Sequence, residues 1–335
     1  MSSTRNEVAA RAGVSTATVS RAYNAPSLVS PEKRARILRA AEALGYHPDR
    51  HASALRRKGT GMITVCMPPR ATAAARDARI YSWLFFDAVQ AVQEELEATM
   101  YSVQLATSHG AEELARQLQR HPADGVICGS GTYGPPLPAV LREGSVPYVC
   151  CGQTASPSDA NLCYIDEYAG GRVAAEACRA RGYRCPAHIS HQVQADGICR
   201  ARWEGFRDAF SGTEVPLVDG ALGIGGGYAS ALRLAPRIRA GEIDVIFVVN
   251  DLTAVGVMHA LSEQGIRIPE QVALLGYDNQ PFIQTLPISL ATIDLAMDTL
   301  YRTAARQLLH IMRHPAPVRA AITPVFVPGD SLPNR

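Results

Sequence analysis

The chain has 335 residues, of which 47% are hydrophobic and 19% are charged, so it can form two or three domains with ordinary cores. This composition excludes a disordered, collagen-like or disulfide-framework protein. The formal net charge of +2 is unevenly distributed, because residues 1–60 carry a net charge of +7 and the rest carries −5, a pattern typical of a nucleic-acid-binding module joined to a second domain.

The first thirty residues contain charged side chains where a signal peptide requires an apolar block, namely Arg5, Glu7, Arg11 and Arg21. No run of the chain approaches the ~18 consecutive apolar residues that a membrane helix requires. We therefore expect a soluble, cytoplasmic protein without a membrane segment.

Two short helices are predicted at the start of the chain. Thr4 and Glu7 have the spacing of a capping box, and Gly13 is expected to end the first helix. Ser15 is a good N-cap for a second helix that extends through Asn24. Two helices joined by such a short glycine-containing turn form a helix-turn-helix.

A third helix is predicted to begin at Ser30, with Pro31 at its first position, and to end near Gly45. Its apolar stripe comprises Ile37, Ala41 and Leu44. The three helices supply one small core, and we assign residues 1–48 to this domain.

One face of the second helix is exposed in this arrangement. At about 100° per residue it comprises Thr16, Ala17, Ser20 and Arg21, whereas Val19 and Ala22 point inward. Arg21 can donate to the O6 and N7 atoms of a guanine in the major groove, and small neighbouring side chains allow a close approach. The alternative is an ordinary amphipathic surface helix.

Two runs carry a specific resemblance: EVAARAGVSTATVSRAYN at 7–24 and VSPEKRARILRAAEALGYHPDRHASALR at 29–56. From Thr4 to about Lys58 the chain resembles the DNA-binding segment of the LacI/GalR family of bacterial transcription regulators. The resemblance implies that bases of double-stranded operator DNA are read by Thr16, Ala17 and Arg21. It implies phosphate contacts by Ser15, Ser20, Asn24 and Ser30. Arg5 departs from the family pattern, which usually has Ile or Leu there.

Residues 49–60 follow the head as a segment long enough for a helix of only two or three turns, which is too short to be stable alone in water. The residues by themselves indicate a charged linker. The resemblance instead implies a hinge that folds on the operator through Ala52 and Leu55, with Leu55 wedged into the minor groove. Separating the two hinges of a dimer would then prevent both wedges from inserting.

From Met62 onward, apolar strand-like runs alternate with helical ones. The first series of strands is MITVCM, YSVQLAT, GVICG and VPYVCC, and the second is LCYID, CPAHIS, VIFVVN and QVALLGY. Helices are predicted near 84–98, 111–121, 136–144, 168–181, 199–211, 228–240 and 251–264. This order predicts an α/β core (61–335) of two doubly wound parallel-sheet subdomains, about 61–160 plus 293–320 and 161–292 plus 321–335. A ligand is expected in the cleft between them.

The core also resembles the periplasmic-binding-protein-like core of the same family. Its landmarks are Asp166 with Gly170, Arg200 before Gly205-Phe206, Asn250-Asp251 and Gly276-Tyr277-Asp278. The resemblance implies that the effector's polar groups are bound by Arg200, Asn250 and Asp278, and that aromatic side chains flank it at Tyr81 and Tyr228. A guanidinium, an amide and a carboxylate together suit a polyol. Taken singly, each could form an ordinary surface ion pair.

The effector's identity is less well indicated. Gly152 stands where many sugar-binding members have Asp, and Leu295 where many have Gln. The segment Arg70–Ile80 is longer than usual and contains Arg70, Arg76 and Arg79. We expect a sugar or a sugar acid, and the added arginines favour an anionic ligand.

Other features predict no chemistry. The eight cysteines contain no C-x-x-C pair and are expected to be mostly small buried side chains. Gly223–Gly227 lacks the last glycine of a nucleotide-binding motif and is predicted to be a flexible loop. His188 and His191 lack a third metal ligand, so a structural role is favoured over a metal site.

The sequence therefore predicts a DNA-binding transcription regulator, most simply a repressor, that forms a homodimer and needs no cofactor. The tail VFVPGDSLPNR has no leucine repeat for tetramerisation. The alternatives are a solute-binding protein, which the basic head disfavours, and a Rossmann-type enzyme. The enzyme is disfavoured because neither a phosphate loop nor a catalytic constellation is visible.

Overall fold

The computed structural model describes residues 4–24, 28–46, 59–67, 82–108, 111–129, 141, 143–152 and 161–335, with the backbone only at 24, 82–85 and 111. Several predicted features lie outside the described residues. These are the hinge residues Ala52 and Leu55, the aromatic Tyr81 and the segment Arg70–Ile80.

The described elements follow the predicted alternation. The helices are α1 Arg5–Ala12, α2 Thr16–Asn24, α3 Pro31–Ala43, α4 Ser82–Leu96, α5 Ala111–Arg120, α6 Glu167–Ala180, α7 Gly197–Ala209, α8 Gly223–Arg239, α9 Asp251–Glu263 and α10 Met297–Ile311. The strands are β1 Met62–Met67, β2 Ser102–Thr107, β3 Gly125–Cys128, β4 Tyr148–Gly152, β5 Leu162–Ile165, β6 Pro186–Ser190, β7 Leu217–Asp219, β8 Val245–Val248, β9 Ala273–Leu275, β10 Thr292–Asp294, β11 Arg319–Ile322 and β12 Val325–Val327.

The capping box that begins the head is formed as predicted. The backbone N–H of Thr4 donates to the Glu7 carboxylate at 2.7 Å, and the backbone N–H of Glu7 donates to the Thr4 hydroxyl. Gly13 ends α1 in the left-handed conformation with φ 61°, which glycine adopts without steric cost. Local sequence therefore determines where α1 begins and ends.

The head has a core of its own, in which small side chains allow three short helices to meet. Val19 and Ala22 are 1% and 0% exposed, as predicted, and pack with Val8, Ala12 and Ile37. The buried stripe of α3 contains Ile37, Ala40 and Ala41, whereas the predicted Leu44 is only partly buried at the end of the helix. Because the inward face of α2 packs in this core, its opposite face is exposed to solvent.

The core contains two parallel sheets. The first has the strand order β11-β5-β4-β3-β1-β2 and the second β7-β6-β8-β9. A short antiparallel pair, β10 with β12, lies where the chain passes between the sheets. The chain crosses after β5, again between β10 and α10, and a third time after β11. The predicted fold class is confirmed.

One strand lies in the first sheet, although it was predicted to lie in the second. The second series was expected to begin with the strand at Leu162, but that prediction was wrong because β5 pairs with β4 and with β11 in the first sheet. Cys163, for example, lies opposite Cys151. An apolar run predicts that a strand exists, but its partner depends on tertiary pairing. The short strand β7 was also not predicted.

The prediction of a flexible loop at Gly223–Gly227 was wrong, since α8 begins at Gly223. A Cβ added at Gly227 would lie 1.9 Å from the backbone oxygen of Thr253, and one at Gly256 would lie 1.9 Å from that of Ile224. These glycines allow α8 and α9 to pack with their backbones in contact. Tertiary packing therefore outweighs the low helix propensity of glycine.

Candidate functional site

The face of α2 predicted to meet DNA is presented to solvent. Thr16, Ala17 and Arg21 are exposed, and Ser20 is half-buried. Ser15 caps the helix, because its hydroxyl accepts from the Thr18 backbone N–H at 3.2 Å. The structure therefore presents the predicted base-reading residues to solvent along one short helix, with Thr16 and Ala17 in its first turn and Arg21 in its last.

Two other predicted phosphate-binding residues stand at helix ends: Asn24 ends α2, and Ser30 precedes α3. Ser30 is exposed and caps α3 by accepting from the backbone N–H of Lys33 at 3.4 Å. The side chain of Asn24 lies outside the described residues. Sequence analysis missed Arg34, whose Nε donates to the Ala22 backbone oxygen at 3.3 Å and so ties α3 to the last turn of α2.

Asn250 and Asp278 lie at the carboxyl ends of the adjacent strands β8 and β9. Asn250 is the N-cap of α9 and accepts from the Thr253 backbone N–H at 2.8 Å. Asp278 is 4% exposed and accepts from Gln280 Nε2 at 3.1 Å. Burial raises the pKa of Asp278 to about 7.

The backbone at this edge is strained. Asp278 has φ 108° and the following Asn279 has φ 55°, although neither is glycine. Such conformations cost about 1–3 kcal/mol each and are maintained only where the surrounding structure enforces them. The strain directs the side chains of consecutive residues in unusual directions at the expected ligand site.

Two other predicted effector residues, Arg200 and Tyr228, are engaged in contacts of their own. Arg200 is exposed, and its guanidinium donates to the backbone oxygens of Val193, at 3.1 Å, and of Gln194. The Tyr228 hydroxyl donates to Glu263 at 2.6 Å. Glu263 ends α9, so at a rise of about 1.5 Å per residue it is roughly 18 Å along the helix from the strand edge.

A buried network that sequence analysis missed lies beside Asp278. Arg202 donates to both carboxylate oxygens of Glu167, at 2.7 and 3.0 Å, and to the Val249 backbone oxygen at 2.7 Å. Its guanidinium carbon lies 3.8 Å from the ring centroid of Tyr277, whose hydroxyl donates to Glu167 at 2.7 Å. Arg202 and Glu167 are 4% and 2% exposed.

The electrostatics of this network follow from its burial. Burial on its own would lower the pKa of Arg202, but the adjoining Glu167 carboxylate and Tyr277 raise it well above its ordinary value. Burial, followed by the negative charge of Glu167, raises the pKa of the Tyr277 phenol. The guanidinium therefore stays charged and paired. The sequence does carry one signal for Arg202. The apolar Cys199 and Phe206 stand three residues before it and four after it, so all three lie on the same, inward face of α7.

A second buried carboxylate joins the crossing strand to the same edge. Asp251 accepts from the Thr292 hydroxyl at 2.7 Å and from the Gln280 backbone N–H at 2.8 Å. Burial raises its pKa, and the nearby Asp278 raises it further. A Cβ at Gly276 would lie 2.2 Å from Asp251 Oδ1, so this position requires glycine.

A cavity of about 390 Å³ opens beside Asp278, between the starts of α4 and α10 and the loop after β9. Its described lining residues are Asp87, Asp278, Asn279, Pro281, Gln284, Asp294, Met297 and Asp298. Asn279 donates to Asp294 at 2.8 Å. Burial, together with Asp298 and Asp294, raises the pKa of Asp87. Carboxylate and amide oxygens of this kind are suited to accept from ligand hydroxyls.

The two positions that depart from the family pattern differ in their surroundings. Leu295 is 1% exposed, and its side chain packs in the main core between the cavity-lining residues Asp294 and Met297 in the chain. Gly152 is half-buried at the end of β4 in the first sheet.

The histidines and cysteines are engaged in packing. His188 is buried among Trp203, Phe206 and Phe247, and burial lowers its pKa to about 3. His191 Nδ1 is 2.8 Å from the Gly220 backbone oxygen. Six cysteines are buried, Cys150 is half-buried and Cys185 is exposed. In the described part of the chain, no three His, Cys, Asp or Glu side chains could together hold a metal ion.

None of the helices that the structure describes is both long and apolar enough to cross a membrane.

Comparison with known proteins matches both parts of the chain. Residues 4–49 match the family model for bacterial regulatory proteins of the lacI family, and residues 175–332 match the model for the periplasmic binding protein-like domain. These are the head and most of the second half of the core.

Similar proteins match over nearly the full chain. The HTH-type transcriptional regulator CelR of Thermobifida fusca is 29% identical over 314 residues, covering 90% of this chain and 89% of CelR. The ribose operon repressor of Escherichia coli K12 is 27% identical over 341 residues, covering 98% and 99%. A solved CelR–cellobiose complex superposes with a TM-score of 0.65 at 27% identity, covering 98% of this chain and 99% of that chain.

Proposed function

Because the chain belongs to the LacI family of bacterial regulatory proteins, we propose that its head binds operator DNA and its core binds a small sugar-like effector that controls the DNA affinity. It is a transcription regulator and not an enzyme. The observation that carries the proposal is the presence of both units in one chain, with the polar face of α2 exposed. A solute-binding protein would not need this head.

DNA binding is assigned to the head and the hinge. Arg21, Thr16 and Ala17 read bases in the major groove, because they form the exposed face of α2. The phosphate contacts are assigned to Ser15, Ser20, Asn24 and Ser30. Ala52 and Leu55 in residues 49–60 complete the interface at the minor groove. Since its target is the chromosome, we place the protein in the cytoplasm.

Effector binding is assigned to the edge formed by Asn250 and Asp278, together with the adjacent cavity. The cavity volume of about 390 Å³ lies within the range of roughly 300–1,000 Å³ that is typical of small-molecule sites. Relatives of this chain are a ribose operon repressor and a regulator solved with cellobiose, which favours a sugar. Tyr81, Arg200 and Tyr228 remain candidates from the family resemblance.

We propose that the regulator acts as a homodimer and as a repressor. Each head would bind one half-site, and the three chain crossings between the two sheets would allow a ligand to alter the spacing of the hinges. A coupling free energy of about 1–3 kcal/mol would weaken operator binding roughly 5–150-fold.

The test is a gel shift of the full-length protein with its own upstream DNA at several salt concentrations. We expect retardation that strengthens as salt falls, because phosphate contacts release counterions, and reversal by one sugar of a panel. Random DNA of equal length is the control. Failure to retard the upstream DNA at low salt would overturn the proposal in favour of a solute-binding protein.

A further inference from the structure

We propose that Glu167 determines the charge selectivity of the effector site: it neutralises Arg202, so the site accepts an uncharged polyhydroxylated ligand and rejects one that carries a carboxylate. The inference rests on the proposed function, because it concerns the ligand of the same cleft. Glu167 would act as a specificity-determining residue through Arg202, without itself touching the ligand.

Each guanidinium nitrogen of Arg202 already donates to a protein oxygen. Its Nε and one Nη donate to Glu167, and the other Nη donates to the Val249 backbone oxygen. The ring of Tyr277 covers one face of the guanidinium. The bidentate Glu167 carboxylate therefore occupies the edge of the guanidinium with which an anionic ligand would otherwise pair, and it neutralises the charge.

The pair of Arg202 and Glu167 is almost completely removed from water. Arg202 is 4% exposed and Glu167 is 2% exposed, so solvent screens their interaction weakly. The positive charge of Arg202 lies close enough to Asp278 to favour its ionised form. Loss of the Glu167 charge would therefore be felt at the ligand edge, where Asp278 lines the cavity.

The described lining of the cavity is acidic. Four carboxylates, Asp87, Asp278, Asp294 and Asp298, line it, and none of the described lining residues is cationic. Arg302 lies 3.9 Å from Asp298, but it also pairs with Glu94 at the surface. A ligand carboxylate would lie among acidic groups without a cation to pair with in the described lining, whereas ligand hydroxyls can donate to these oxygens.

This inference opposes the expectation of an anionic ligand drawn from Arg70, Arg76 and Arg79. Those side chains lie outside the described residues. The buried pair supplies a physical reason for the opposite preference, and the experiment decides between the two.

The test compares matched neutral and acidic probes by calorimetry and thermal shift on the full-length protein. The probe pairs are ribose with ribonate, cellobiose with cellobionate and, as the smallest pair, glycerol with glycerate. For Glu167→Gln we expect the affinity ratio of acid to neutral probe to rise by about tenfold or more, because an unpaired guanidinium attracts the carboxylate. A merely structural role would lower both affinities and leave the ratio unchanged.

Tyr277→Phe is the matched control, since it removes a hydrogen bond to Glu167 without changing the charge of the pair. We expect its affinity ratio of acid to neutral probe to equal that of the parent protein. If Glu167→Gln does not fold, Arg202→Gln tests the same inference in the opposite direction, because it leaves Glu167 unpaired and should lower the ratio further.

An acid probe that binds the parent protein more tightly than its neutral partner would overturn the inference, as would an unchanged ratio in Glu167→Gln and Arg202→Gln. A gel shift on the same preparations separates this outcome from failure of the proposed function. If the parent protein binds the operator but Glu167→Gln leaves the ratio of acid to neutral probe affinity unchanged, only the proposed role of Glu167 is rejected. If the parent protein itself does not bind the operator, its proposed function as a transcription regulator is rejected.

Discussion

Single residues decide how the head reads DNA. Arg21 is exposed on α2, and its neighbours Thr16 and Ala17 are too short to reach far into the groove. The guanidinium is therefore the one long bidentate donor on this face.

Replacing Arg21 with alanine should weaken operator binding by about 1–3 kcal/mol and relax the preference at one guanine. Fluorescence anisotropy with operators substituted at each base pair measures both effects. Arg11→Ala, on the exposed end of α1, is the matched control and should leave base preference unchanged. If Arg21→Ala weakened binding to all sequences equally, the residue would be a phosphate contact.

Asp278 shows how one buried carboxylate affects stability. Its pKa is raised from 3.8 to about 7, so the folded protein favours the protonated acid. Its stabilising effect is fully present below pH 3.8 and is lost as pH rises through about 7, because the folded state must then bury a charge.

Asp278→Asn should therefore stabilise the protein at pH 8 by up to about 4 kcal/mol and change little near pH 4. Denaturant unfolding at the two pH values measures the difference, and the exposed Glu214→Gln is the control. A stabilisation that was the same at both pH values would show that ionisation is not its cause.

At the scale of elements, glycines determine how closely α8 and α9 pack. Added Cβ atoms at Gly227 and Gly256 would each meet a backbone oxygen at 1.9 Å, and a backbone oxygen cannot move aside as a flexible side chain can. Gly225, on the same helix, has no atom within 4 Å of the equivalent position.

These two environments make a matched experiment. Gly227→Ala should destabilise the protein by about 1–3 kcal/mol through overpacking. Gly225→Ala should stabilise it by about 0.5–1 kcal/mol, because alanine loses less backbone entropy in a helix. Chemical denaturation measures both. A stabilising Gly227→Ala would show that the helices can separate freely.

At the scale of the whole molecule, one crossing strand, β10, connects the edge at Asp278 to the rest of the core. Thr292 in β10 donates to Asp251 at the start of α9, and the Asp278 backbone N–H donates to the Ile293 oxygen at 2.8 Å. The proposed ligand edge is therefore joined to a strand that leads from the second sheet to α10, which packs against the first sheet. This geometry is what coupling to the hinges requires.

Leu55→Ala tests that the hinge belongs to the DNA interface and not to the effector site. It should weaken operator binding, because the apolar wedge is lost, and leave effector affinity unchanged. Operator titration and effector calorimetry on the same preparation measure the two quantities. Operator binding as tight as that of the parent protein would reject the wedge.

Much of the fold follows from the sequence by itself. The capping box of Thr4 and Glu7, the glycine at 13 and the inward Val19 and Ala22 act over a few residues, so local chemistry determines the helix-turn-helix. The alternation of apolar runs with helices likewise predicts two parallel sheets, because both signals are periodic along the chain. The charge of the first sixty residues predicts a nucleic-acid partner.

Only the tertiary structure decided which elements and side chains meet. It placed β5 in the first sheet, began α8 at Gly223, and paired Arg202 with Glu167 while Arg200, two positions earlier, stayed exposed. Strand pairing, backbone contact between helices and burial of an ion pair all depend on residues distant in the chain. Two arginines on one helix turn have the same local chemistry, and only the packing around them determines which one is buried and paired.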